Sequence, residues 1–157
     1  EIPPYASQLN ELTVGSESWG VEWISWHENQ FIIAECQYQL GQEQESLNTL
    51  NNTLSVLEQR WREFDQSCQL PRYSDIGGPD LFAAIMNEKY KAMFLNMQSL
   101  SDWRRTGFPL FIDKNGNSTE CDGGVPRRLL YPELEKKTNS NVPPGDSIFD
   151  RVENDPS

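Results

Sequence analysis

The chain has 157 residues, of which 36% are hydrophobic and 11% aromatic. This length is that of one domain, and the aromatic content excludes a disordered segment. The formal net charge of −11 repels phosphate backbones and anionic headgroups, which argues against a nucleic-acid partner or a membrane surface.

Two helices joined by a glycine are predicted in the first half of the chain. Residues 1–20 are polar and are expected to be an extended lead-in to a helical body at residues 21–109. The first helix is predicted at residues 21–40, ending before Gly41. Its apolar face is Ile24, Phe31, Ala34 and Tyr38. The second helix follows with an apolar stripe at Leu47, Leu50, Leu54, Leu57, Trp61 and Phe64. The pattern predicts an antiparallel αα-hairpin, the unit of helical repeat proteins.

A connector at residues 65–79 leads to a third predicted helix, which begins with Asp80 as its N-cap and ends before Gly107 and Pro109. Its apolar side is Phe82, Ile85, Met86, Met93, Met97 and Leu100, with Tyr90 and Phe94 alongside. Residues 110–157 are predicted to be a loop-rich C-terminal segment packed on the helices. Within it, Glu133 and Glu135 are assigned to a strand-like stretch and residues 136–157 are expected to be irregular.

Three cysteines are too few and too widely spaced for a disulfide framework or a zinc knuckle. Cys36 is predicted to be a buried thiol within the first helix. At most one disulfide could form, between Cys68 and Cys121, and the sequence leaves that pairing open.

No arrangement of residues indicates catalysis. The single histidine, His27, is interpreted as a helix residue at the edge of the core, because no nucleophile and orienting acid converge on it in the sequence. Acidic residues are numerous, yet no spacing singles out a pair of carboxylates facing each other across a cleft, as glycoside hydrolysis requires. We therefore predict that the chain is not an enzyme and that it uses no cofactor.

A short loop offers oxygen ligands for calcium at Asp113, Asn115 and Asn117. In a calcium loop the sixth position is glycine and the twelfth a bidentate acid, whereas Ser118 and Gly124 stand there. Because Asn-Gly-Asn is also ordinary turn sequence, no metal is predicted.

Trp19, Trp23 and Trp26 form an aromatic cluster at the start of the first helix. An exposed indole can stack on the C–H face of a sugar ring, but spacings of four and three are also those of a helix core. Trp23 and Trp26 are assigned to the core. Trp19 is the candidate ligand contact, and the other ligand contacts are left unassigned.

Three blocks of the sequence resemble the SusD/RagB family. They are residues 28–36 (ENQFIIAEC), residues 85–109 with IMNEKYKAMF and WRRTGFP, and residues 125–132 (VPRRLLYP) followed by Glu135 and Asn139. The spacing before the two arginines is one or two residues shorter than is usual in the family. The motif positions to which we assign structural roles are Trp103, Arg104, Arg105, Gly107, Pro109, Arg128, Tyr131 and Pro132. We expect Arg104 and Arg105 to make salt bridges that fasten the third helix to its neighbours.

The resemblance implies an all-α protein of tetratricopeptide-like helix hairpins with irregular C-terminal loops. It also implies a cell-surface lipoprotein of the outer membrane that delivers glycans or other nutrients to a TonB-dependent (SusC-like) transporter. Because family members are several times longer, we expect this chain to be a C-terminal portion, with the lipid anchor in a segment upstream. The absence of an N-terminal Met agrees with this expectation.

The resulting hypothesis is a non-catalytic glycan- or nutrient-binding component of an outer-membrane uptake complex. The alternative is a helical scaffold for protein–protein interaction that binds no sugar, since the apolar stripe of the second helix would serve it equally well.

Overall fold

The computed structural model describes residues 16–17, 20, 23–110 and 130–142, which contain five α-helices and no β-strand. The helices are α1 (Trp26–Gln39), α2 (Glu43–Arg62), α3 (Gly78–Ala92), α4 (Gln98–Thr106) and α5 (Glu133–Thr138). The all-α prediction is therefore confirmed for this part of the chain. None of these helices is both long and apolar enough to cross a bilayer.

α1 and α2 form the predicted helical hairpin. Gly41 links them with a φ of +76°, a left-handed conformation that residues with a Cβ rarely adopt. The helices approach closely where Ser46, fully buried, donates a hydrogen bond of 2.7 Å to the carbonyl of Ala34. Farther along, Thr49 Oγ1 donates to Gln37 Oε1 at 2.8 Å. Small and polar side chains thus set the hairpin spacing at its closed end.

The core is made by the stripe of α2 together with apolar residues of α1 and α3. Its buried members are Phe31, Ala34, Leu47, Leu50, Leu54, Leu57, Leu81, Ala84 and Ile85. The four leucines of α2 were all predicted to share one face, and that prediction is confirmed. α3 packs across both helices of the hairpin, so the three helices enclose one apolar core.

The connector between α2 and α3 is held against α2 by two polar side chains. The amide of Asn51 donates to the carbonyl of Tyr73 (2.8 Å) and accepts from its N–H (2.9 Å). The carboxylate of Glu58 accepts from the N–H of Leu70 at 2.9 Å and pairs with Arg62 and Arg72. The Leu70 hydrogen bond is the main reason that the pKa of Glu58 lies below its ordinary value.

The first helix begins later than predicted, and this corrects the assignment of its aromatic residues. Ser25 is the N-cap, its Oγ accepting from the N–H of Glu28 at 3.1 Å, so Trp23 and Ile24 are not part of the helix. Trp23 and Ile24 precede the cap and are 95% and 85% exposed, while Trp26 is 49% exposed. The assignment of Trp23 and Trp26 to the core was wrong, because α1 begins only after Ser25 and neither indole is buried.

The second helix ends sooner than its apolar stripe. α2 stops at Arg62, so Phe64 lies in the following turn, 49% exposed and tilted against Trp61 at a centroid distance of 6.0 Å.

The single third helix of the prediction is two helices, α3 and α4. Asn96 Oδ1 accepts from the N–H of Gln98, Ser99 Oγ donates to the carbonyl of Met93, and Leu95 has a φ of +65°. These side-chain bonds replace the continuing helical ladder. The apolar side is consequently split: Met93 is buried, whereas Phe94 and Met97 are exposed. At its start, the N-cap is Gly77 rather than Asp80, which lies in the first turn.

Two smaller assignments are also corrected. Glu133 and Glu135 lie in α5 and not in a strand, and α5 continues through residues 136–138 that were expected to be irregular. Cys36 is an exposed thiol, because the buried face of α1 is formed by Phe31, Ala34 and Glu35. Cys68 is a free, partly buried thiol, and Cys121 lies outside the described residues.

We expect Leu50→Ala to lower the free energy of unfolding by about 2–5 kcal/mol, because it leaves a cavity at a fully buried position. The matched control is Leu134→Ala on α5, where the side chain is 73% exposed and the change should stay within about 0.5 kcal/mol. Urea denaturation followed by circular dichroism measures both. Equal losses would contradict the assignment of Leu50 to the core.

Candidate functional site

The motif residues of α1, α3 and α4 converge on one ionic cluster. Asp102 of α4 receives Lys89 Nζ on one carboxylate oxygen at 2.6 Å and Arg105 on the other at 2.9 Å. Arg105 also reaches α1, where its guanidinium pairs with both carboxylate oxygens of Glu35. Glu35, Lys89 and Asp102 are all buried, and the four formal charges cancel. Such a cluster avoids an uncompensated buried charge.

The cluster joins the first two blocks of the family resemblance. Glu35 belongs to residues 28–36, whereas Lys89, Asp102 and Arg105 belong to residues 85–109. The hydrogen bonds to Glu35, followed by those to Asp102, raise the pKa of Arg105 above its already high ordinary value. Arg105 therefore remains a cation that spans from α4 to α1.

A second network is centred on Glu88, the neighbour of Lys89 on α3. Glu88, 3% exposed, accepts from the hydroxyl of Tyr73 at 2.8 Å and from Lys91 Nζ at 2.6 Å. Burial, followed by the hydrogen bond to Glu88, raises the pKa of Tyr73 to about 12. This network connects α3 to the polypeptide that Asn51 holds against α2.

The WRRTGFP segment ends α4 and packs its exit on α3. Gly107 caps the helix at φ +74°, its N–H bonded to the carbonyl of Trp103 at 2.7 Å, and Trp103 is buried. The Phe108–Pro109 peptide bond is cis. Phe108 meets Phe82 edge-on at a centroid distance of 5.7 Å, and Phe82 in turn stacks on Tyr38 of α1.

The remaining motif positions lie on α4 and around the start of α5. Arg104 is partly buried, and its Nε has no hydrogen-bond partner among the described residues. Pro132 is the N-cap of α5, and the preceding Tyr131 is 36% exposed. Arg128 lies outside the described residues. Glu135 Oε1 accepts from the amide of Asn139 at 2.6 Å, so these two residues of the third block are in direct contact.

An open cleft lies between the start of α1 and the C-terminal half of α2. It has a volume of about 390 Å³ and is lined by residues 24–27 together with Val56, Leu57 and Arg60. Trp26 and His27 are the first residues of α1, so their positions are set by the Ser25 cap. Trp23 is near in sequence but does not line the cleft. Trp19, the ligand contact suggested by the sequence, lies outside the described residues.

The sequence did not single out three members of the ionic cluster or the cleft residues as site residues. The sequence did contain a signal that Lys89 is buried. It lies at helical spacing from Ile85, Met86 and Met93, all of which are buried, so it shares their face of the helix. Trp26 lies beside Val56 and Arg60 because the antiparallel hairpin pairs the start of α1 with the C-terminal half of α2, whereas the sequence analysis had assigned Trp26 to the core.

The proposed calcium ligands Asp113, Asn115 and Asn117 lie outside the described residues. Within residues 23–110 and 130–142, no group of three His, Cys, Asp or Glu side chains is placed to hold a metal ion.

We expect Lys89→Met to lower the free energy of unfolding by about 3 kcal/mol, because Asp102 would lose one of its cations in a buried position. The control is Lys137→Met on α5, which removes an exposed lysine and should change the free energy of unfolding by no more than about 0.5 kcal/mol. Denaturant unfolding at neutral pH compares the two variants. If both lose the same free energy of unfolding, the ion pair of Lys89 with Asp102 does not stabilise the fold more than an exposed lysine does.

A pH-dependent loss of stability is expected from Tyr73. Since its pKa rises from 10.0 to about 12, the folded chain keeps a proton that the unfolded chain releases. This contribution to stability is complete below pH 10 and declines as the pH rises from 10 to about 12. Unfolding free energies across this window should fall less steeply in Tyr73→Phe than in the unchanged chain. Parallel slopes would refute the assignment.

The comparison with known proteins bears on the whole arrangement. A SusD-like family model, described as starch-binding associating with outer membrane, matches residues 24–132. No curated protein and no solved structure matches the chain significantly. The matched range begins at the cleft and contains α1 to α4 and the ionic cluster. Because it covers well over half of the sequence, the chain belongs to the SusD-like family of starch-binding proteins that associate with the outer membrane.

Proposed function

We propose that the chain is part of a non-catalytic component of an outer-membrane uptake complex, where it binds a glycan or other nutrient. In this role it presents the substrate to a TonB-dependent transporter. The observation that carries the proposal is the family match over residues 24–132, whose description names starch binding and outer-membrane association. A lipid anchor, in a segment upstream of this chain, would hold the protein at the cell surface.

The environment of three buried carboxylates supports ligand binding without catalysis. The carboxylates of Glu35, Glu88 and Asp102 are buried and each accepts from at least one cation. A carboxylate in that situation is committed to the fold and does not face a substrate as an acid or base must. Capture by stacking and hydrogen bonding requires neither.

We propose architectural roles for the motif residues. Arg105 links α4 to α1 by its ion pair with Glu35, and the side chain of Trp103 in α4 is buried. Gly107 and Pro109 shape the exit of the helix, while Pro132 and Tyr131 precede α5. We assign architectural roles to Arg104 and Arg128 as well, on the basis of the family motif alone. The corresponding division of the chain is a lead-in at 1–20, a helical body at 21–109 and a C-terminal segment at 110–157.

The alternative is a helical scaffold that binds protein and no sugar. The turn between α3 and α4 favours it, because Phe94, Leu95 and Met97 are 61%, 68% and 75% exposed. Exposed apolar residues grouped in this way are typical of protein contact sites.

Glycan binding can be tested with a printed array of neutral and acidic oligosaccharides, followed by chromatography of each bound glycan after long incubation. We expect the 157-residue chain to bind at least one neutral glycan and to return it unshortened. Shortened products would contradict a non-catalytic role. Capture of a TonB-dependent transporter by a chain that binds no glycan would support the scaffold instead.

A further inference from the structure

We propose that the cleft between α1 and α2 is a subsite for one neutral pyranose ring of a glycan, with Trp26 as its stacking surface. The proposal rests on the proposed function of glycan binding and assigns that binding to named residues. It concerns a site that the family motifs do not mark, since none of the residues that line the cleft belongs to the three blocks of the resemblance.

The dimensions of the cleft suit a sugar ring. Its volume of about 390 Å³ lies within the range of about 300–1,000 Å³ that small-molecule sites occupy. One wall belongs to α2, and the other is formed by the first residues of α1 together with Ile24 and the Ser25 cap that precede it. A site on two packed helices keeps its shape in the absence of ligand, which reduces the ordering cost of binding.

The apolar part of the lining provides a stacking surface. Trp26 is 49% exposed and Val56 is 40% exposed, whereas Leu57 beneath them is buried. An indole fixed at the first position of a helix presents a large, rigid apolar surface to the C–H groups of a pyranose. The exposed part of Trp26 therefore lies where a sugar ring in the cleft would contact it.

The polar part of the lining provides hydrogen-bond donors. Arg60 has several N–H groups and His27 has an imidazole, and hydroxyl groups of a sugar accept from both types. Among the residues that the structure describes, no carboxylate lines the cleft. The net charge of −11 over the whole chain disfavours a polyanionic glycan, so a neutral sugar is the expected ligand.

A comparison with the other exposed apolar groups singles out this cleft. Trp23 is almost fully exposed but lines no part of it, and Phe94 and Met97 lie at a turn remote in sequence. The cleft joins a tryptophan face to two donor side chains within one concave surface. That combination is the usual composition of a site that orients a polar ring.

Isothermal titration calorimetry with maltohexaose, cellohexaose and xylohexaose tests the proposal. The variants are compared using whichever of these three hexasaccharides the unchanged chain binds most tightly. We expect Trp26→Ala to weaken that binding about tenfold or more, as loss of a central aromatic contact does. Trp26→Phe, which keeps a stacking ring, should lose only about threefold. The matched control is Trp23→Ala, which removes a more exposed indole outside the cleft and should change the affinity by less than about twofold.

Circular dichroism verifies that each variant is folded, and acrylamide quenching of tryptophan fluorescence gives a second measurement. Bound hexasaccharide should protect one tryptophan in the unchanged chain and none in Trp26→Ala. If Trp26→Ala binds as tightly as the unchanged chain, the subsite is refuted while glycan binding stands. Equal losses in Trp23→Ala and Trp26→Ala would refute the cleft as well. Oligogalacturonate is titrated in parallel as the acidic ligand; its binding, with no binding of the three neutral hexasaccharides, would overturn the choice of a neutral sugar. No binding of any glycan would overturn both this inference and the proposed function.

Discussion

The ion pairs that the buried carboxylate of Asp102 forms with Lys89 and Arg105 fix α4 against α3 and, through Arg105, against α1. The most extensive packing between helices of the described residues joins α1, α2 and α3. α4 is attached to them by this cluster, together with the buried Trp103 and the contact of Phe108 with Phe82. Three of the four charged side chains are buried, and their desolvation cost is offset because each charge has a partner. Loss of Asp102 would leave the buried ammonium of Lys89 without its carboxylate, and loss of Arg105 would leave the buried carboxylate of Glu35 without its cation.

α1 connects this cluster to the cleft. Glu35, near the C-terminal end of α1, receives Arg105, while Trp26 at the first position faces the cleft. Nine residues of helix separate them, about 14 Å along the axis. The same helix thus has Glu35 bound within the ionic cluster and, at its other end, a half-exposed tryptophan that lines the cleft. Because α1 carries both Trp26 and Glu35, it fixes the distance between the cleft and the ionic cluster. No residue of the three family blocks lines the cleft.

Local sequence pattern was sufficient for the hairpin and insufficient for the third helix. The leucine stripe of α2 and the glycine at position 41 act within a few residues, so spacing alone identifies them. The break after Met93 depends on competition between the helical ladder and bonds made by Asn96 and Ser99. The spacing of the apolar residues cannot reveal this competition, because that spacing is the same whether the chain continues as a helix or turns after Met93.

The sequence by itself determined the helical class, the core stripe of α2 and, through its three blocks, the family. These features depend on residue type at short spacing. Only the tertiary structure decided which side chains meet. Glu35 and Arg105 are 70 positions apart, and Trp26 reaches Val56 and Arg60 only when the hairpin closes. The exposure of Trp26 was also decided there, since one serine N-cap, and not the tryptophan spacing, sets where α1 begins.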